Sequence, residues 1–125
     1  MFLRNKSESM STLNLEEKMS ALHQNMNSHH QIKGSMLIKS NGLHVSSNNT
    51  MAHPRKFAAL FAGMFKMIDT LGKVNEASLR LKNGTSVYLK EVSNKVILAT
   101  LTDNYDSERV KRLTDYYVRK FQNIF

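Results

Sequence analysis

The chain has 125 residues, a formal net charge of +8 and no cysteine. That length supports one hydrophobic core and a single domain, and the missing cysteines exclude disulfide staples, thiolate-bound zinc and a thiol nucleophile. No apolar run is long enough to span a bilayer, so no membrane partner is expected. The opening MFLRNKSESMST lacks the apolar segment of a secretory signal, which points to a cytoplasmic protein.

Residues 1–12 are polar, rich in serine, and read as a flexible tail ahead of a single domain over 13–125. Asn14 followed by Glu17 has the spacing of a capping box. Leu15, Met19, Leu22 and Met26 then mark one face of a helix ending near Asn27. His23, His29 and His30 lack a nearby third ligand of acidic or thiolate type, so no metal site is expected. A strand over Ser35–Ser40, the turn Asn41-Gly42 and the alternating Leu43, Val45 and Ser47 make a hairpin.

The stretch HPRKFAALFAGMFKMIDTL, residues 53–71, organises the rest. His53 takes the N-cap position and Pro54 suits the first helical position, where its missing N–H costs nothing. Phe57, Leu60, Phe61, Met64, Ile68 and Leu71 recur at helical spacing as the main apolar face. Ala58, Ala62 and Phe65 widen it, while Gly63 and Met67 extend it on the other side. A helix covering one sheet in a small monomer needs a single apolar stripe. This one has more, enough to meet its own sheet and another chain. Gly72 reads as the helix stop.

Glu76–Asn83 alternates Ala77, Leu79 and Leu81 with Ser78, Arg80 and Lys82 as a half-buried strand. Asn83-Gly84 turns it into Thr85–Val92, and a short turn leads to Val96–Thr102, so the three strands form an antiparallel meander. Asp106 caps a last helix whose inward face is Val110, Leu113, Tyr117, Phe121 and Ile124, with Tyr116 beside it. Arg109, Lys111, Arg112, Arg119 and Lys120 cluster there, diluted by Glu108 and Asp115. With the other cations spread along the chain, this argues against a nucleic-acid groove.

The order is α-β-β-α-β-β-β-α: an α+β, three-layer sandwich with a five-stranded antiparallel sheet. The central helix lies on one face and the N- and C-terminal helices on the other. The first meander strand is a candidate sheet edge, and pairing it with its symmetry mate would bring two central helices together in a closed dimer. Gly63, with Ala59 and Ala62, would allow close approach at the two-fold axis. The competing reading is that Gly63 only eases packing on its own sheet.

This order of elements, with GSMLIKSNGLHVSSN over 34–48 and HPRKFAALFAGMF over 53–65, resembles the roadblock/LC7 domain family across roughly residues 14–122. The shared features are a glycine-led strand, a short turn ending in glycine, a valine-bearing return strand and a proline-started, alanine-rich helix. The resemblance implies a homodimer, or a heterodimer with a paralogous chain, with a ten-stranded sheet. It also implies a non-catalytic scaffold or regulator of a small Ras-like GTPase, or a light-chain role in a larger complex. The dimer-interface residues on this reading are Ala59, Ala62, Gly63, Met67, Leu79 and Leu81. Partner-binding residues are Arg55, Lys56, Phe65 and Lys66. No glycine-rich phosphate loop and no acid–base pair is recognisable, so no catalytic residue, metal or cofactor is assigned. The different-class alternative is a nucleic-acid binder using the basic C-terminal helix.

Overall fold

A computed structural model describes residues 14–48, 53–72, 75–93, 95–103 and 107–125. The expected tail over 1–12, the loop at Asn49 and Thr50, and the Asp106 cap lie outside the described residues. In chain order the elements are α1 (Leu15–Asn27), β1 (Ile32–Lys39), β2 (His44–Ser47), α2 (Pro54–Asp69), β3 (Glu76–Arg80), β4 (Thr85–Ser93), β5 (Val96–Asp103) and α3 (Ser107–Gln122). The five strands form one antiparallel sheet in the order β2-β1-β5-β4-β3. The expected three-layer α+β architecture is the observed one.

Local chemistry accounts for most boundaries. The α1 capping box forms in full: Asn14 Oδ1 accepts from the Glu17 N–H at 2.8 Å, and Glu17 Oε1 accepts from the Asn14 N–H at 3.2 Å. Gly42 and Gly84 sit at φ of +95° and +93°, the left-handed geometry their tight turns require. Helix α2 begins at Pro54 behind His53, whose φ of 50° and ψ of 52° leave its side chain without a capping bond. The proline ring disfavours helical geometry at the preceding residue, so His53 ends the loop without capping the helix. At the other end the Thr70 hydroxyl donates to the Met67 carbonyl at 2.6 Å, and Leu71 falls in the turn rather than on the helix.

Two strand boundaries differ by three residues from the sequence reading. β1 starts at Ile32 rather than Ser35, because it pairs with β5 from Ile32↔Thr102 to Lys39↔Val96 and tolerates Gly34 at a register shift. β3 ends at Arg80 rather than Asn83, because the turn around Gly84 takes up Leu81 to Asn83.

Two cores lie on opposite faces of the sheet. Met36, Ile38, Val87, Leu89, Ile97 and Ala99 meet Ala58, Phe61, Ala62 and Phe65 of α2. Leu37, Val92 and Leu98 meet Met19 and Met26 of α1 and Tyr117, Val118 and Phe121 of α3. β1 and β5 are therefore buried on both sides, as central strands of a three-layer stack must be. The α3 inward face includes Thr114 and Val118, which the sequence reading omitted; Leu113 and Ile124 are only half-buried.

His23 is the unexpected member of this second core. It is fully buried, with Nδ1 2.7 Å from Ser35 Oγ and Nε2 2.7 Å from Ser46 Oγ, and its ring lies 5.1 Å from that of Phe121. One neutral imidazole thus fastens α1 to both strands of the first hairpin. His29 bonds the Tyr117 hydroxyl at 3.0 Å, so where His23 ties α1 to the sheet, His29 ties the end of α1 to α3 within the helical layer. Among the described residues no three acidic, histidine or cysteine side chains are grouped to hold a metal ion.

Burial, followed by the nearby His44, lowers the His23 pKa to about 4. The unfolded chain therefore binds an extra proton between about pH 6.5 and pH 4, and stability falls as pH drops through that window. Urea unfolding at pH 7.5 and pH 4.5 is expected to show a loss on the order of 3 kcal/mol from this group. In His23→Gln the same comparison should show a much shallower pH dependence.

Candidate dimer and partner-binding surface

Helix α2 connects β2, on one edge of the sheet, to β3, on the other. Its 16 residues span about 24 Å at 1.5 Å per residue, against about 19 Å across four strand spacings. One helix thus suffices to cross the whole face, and its outer side is left to solvent.

The phase of α2 is rotated from the sequence reading. The seam on the sheet is Ala58, Phe61, Ala62 and Phe65, all buried. Two small alanines let the helix backbone approach the strands, and the two phenylalanines fill the space beside them. Leu60 and Leu71, expected on the main inward face, are 53% and 89% exposed. Phe57, Met64 and Ile68 are half-buried along one flank, with the Phe57 ring stacked 5.8 Å from that of Phe61.

This rotation sorts the expected site residues into two groups. Ala62 and Phe65 belong to the chain's own core, exposed by only 2% and 7%, and what surface they keep lines the groove beside Lys66. Ala59, Gly63 and Met67 follow one another at four-residue intervals on the outer side, joined by Leu60, which the sequence reading had placed in the core. Met67 is 72% exposed. A Cβ built on Gly63 meets nothing within 4 Å, so its smallness does nothing for packing on its own sheet. Ala59 also receives the first hairpin's turn, a Cβ at Gly42 lying 3.5 Å from the Ala59 Cα.

Arg55, Lys56 and Lys66 are exposed around this apolar strip. Arg55 stands close enough to His44 to join burial in lowering the His44 pKa, burial being the larger cause. Lys66 lines a groove of about 370 Å³ with Asp69, Glu91 and Lys95, bounded by the turns before β2 and before β5.

β3 is the outermost strand, paired with β4 in unbroken register from Glu76↔Lys90 to Arg80↔Ser86. The opposite edge, β2, has four residues and a register shift against β1. Regular edges pair readily and irregular ones resist it, which distinguishes β3 as the competent edge. Leu79 and Ala77 are half-buried and pack on the same core as Phe57 and Met64. Leu81, just past the strand, is 47% exposed. The apolar outer part of α2 and the inner side of β3 thus belong to one face of the molecule. Leu60 is exposed there and Phe57 and Met64 half-buried, although periodicity had put all three on the helix's main apolar face. Only the angle at which α2 meets the sheet distinguishes them from core.

No helix among the described residues is long and apolar enough to cross a membrane. No family model and no curated protein matches the sequence. Comparison of the structure gives a different result. A roadblock/LC7 domain from Streptomyces avermitilis superposes with a TM-score of 0.75 at 16% identity, covering 83% of this chain and 94% of that one. The gliding protein MglB from Thermus thermophilus gives 0.79 at 14% identity, covering 90% and 91%. MglB from Myxococcus xanthus gives 0.76 at 20% identity, covering 86% and 94%. At these identities the likeness is one of architecture, and the chain has the fold of the roadblock/LC7 domains.

Proposed function

We propose that this protein is a non-catalytic dimeric scaffold whose paired α2 helices form a platform for a small Ras-like GTPase. The observation that carries this reading is the exposed apolar strip of Leu60, Gly63 and Met67 on α2, which covers the same face of the sheet as the inward residues Ala77 and Leu79 of the regular edge strand β3. Two copies joined edge to edge through β3 satisfy each other's outer backbone groups. The same two-fold brings α2 against its mate, where a glycine and an alanine allow close approach.

A strip of this kind is costly for a lone soluble monomer, since large contiguous apolar patches mark interaction sites. Gly63 sharpens the point. In an exposed helix interior glycine costs about 1 kcal/mol relative to alanine, and among the described residues no close packing at Gly63 offsets that. Arg55, Lys56 and Lys66 supply a basic rim suited to an acidic partner surface, which favours rapid and selective encounter. The platform would act by favouring one state of the partner's mobile segments, an effect limited to the difference in its affinity for the two states.

Light scattering coupled to size exclusion should show a dimer at micromolar concentration, and Met67→Glu should shift it to a folded monomer with an unchanged far-UV circular dichroism spectrum and a melting temperature that no longer depends on protein concentration. Gly63→Ala separates the two roles of that position. The isolated chain should gain about 1 kcal/mol in stability, while dimer affinity should fall. A monomeric wild-type protein would sink the dimer. Binding to small GTPases loaded with GDP or GTP, measured with immobilised protein, should differ between the two forms and weaken in Arg55→Glu with Lys56→Glu.

A further inference from the structure

The surface on the other side of the sheet has a different chemistry. On α3, Arg109, Arg112, Tyr116, Arg119 and Lys120 follow at i, i+3, i+7, i+10 and i+11, which places them along one side of the helix. All five are exposed, and Tyr116 is 49% accessible. Of the acidic residues that dilute this cluster in sequence, Asp115 is held on the flank facing the strands, and Glu108 is exposed but engaged. Asp115 lies 2.6 Å from Lys90, Lys111 is drawn to Glu76 at 3.5 Å, and Glu108 has an interaction of its own. Among the described residues, Arg109, Arg112 and Arg119 make no ion pair. The result is a narrow line of cations, without ion-pair partners among the described residues, about 16 Å long, with an aromatic ring in its middle. Lys120 Nζ sits 5.3 Å from the centre of that ring, and Tyr117 meets it edge-on.

We propose that this stripe binds single-stranded nucleic acid, the guanidinium groups tracking phosphates and Tyr116 offering its ring to a base. Three observations select this occupant. The cations are arginine-rich, and the guanidinium fork matches phosphate oxygens in pairs. An exposed aromatic surrounded by basic groups is how sequence-tolerant single-strand binders seat a base. The stripe is also one helix wide. α1 runs antiparallel beside α3, as the contacts His23 to Phe121 and His29 to Tyr117 require. Its exposed Glu16 and Glu17 therefore lie toward the C-terminal end of the stripe. An anionic bilayer laid across this layer would meet those carboxylates, whereas a single strand can follow α3 without them. The surface lies across the sheet from the α2 platform, so this inference does not depend on GTPase binding.

Fluorescence anisotropy with the full chain and a labelled oligo-dT of about 20 nucleotides tests it, with circular dichroism confirming folding of every variant. Binding at low salt should weaken with a log–log salt slope of about −3, as four phosphate contacts on a single strand predict. Arg109→Gln with Arg112→Gln and Arg119→Gln should cost about tenfold or more in affinity and reduce the slope to about −1. Tyr116→Leu should weaken binding at unchanged slope, and Tyr116→Phe should restore it. Arg55→Gln with Lys56→Gln, on the opposite face, should leave oligonucleotide binding intact. Any one of three results would overturn the proposal: no binding at low salt, equal binding by the triple variant, or tighter binding to phosphatidylglycerol vesicles or duplex DNA with Tyr116→Leu neutral.

Discussion

The pairing of β1 with β5 is the constraint on which the rest of this structure depends. It joins a local hairpin to a local meander through a ladder from Ile32↔Thr102 to Lys39↔Val96. Once those two strands are central, β2 and β3 must be the edges, and the segment between them must travel the width of the sheet. A helix the length of α2 makes that journey in one piece. Its burial is set by the sheet beneath it, and its outward residues Leu60, Gly63 and Met67 are left exposed.

The sheet therefore separates two surfaces with different chemistry. Small and apolar residues crown α2, while arginine and tyrosine line α3. Because the sheet and a packed core on each of its faces lie between the two helical layers, a partner on one side need not displace a ligand on the other. The charge of the chain has the same asymmetry: Asp115 and Glu76 are engaged where α3 flanks β3 and β4, and the exposed arginines lie on its outer side.

Polar groups inside the second core fix which layer goes where. His23 reaches Ser35 and Ser46 at once, Asn48 donates to Asn27, and Thr102 donates to the Gln31 carbonyl. Each bond would be lost by a slip in register or a shift of α1 along the sheet. A buried polar group left without its partner costs more than the bond contributes when made, so these contacts penalise near-native alternatives.

The sequence by itself determined the element order, the capping box at Asn14 and Glu17, the turns at Gly42 and Gly84, the meander and the edge position of β3. Each of these follows from local backbone chemistry or from two-residue and 3.6-residue periodicity. It also showed that α2 carries surplus apolar surface. Only the tertiary structure decided which part is surplus, because with apolar residues almost all round the helix the pattern fits more than one rotation. Packing close to the strands chose Ala58 and Ala62 for the inside and turned Leu60 and Met67 out. Likewise the basic cluster of α3 looked diluted in one dimension. The strands then engaged Asp115 and Lys111 on one flank and left the arginines on the other. The role of His23 was hidden for the same reason, since its partners are brought to it by strand pairing and not by neighbouring residues in the chain.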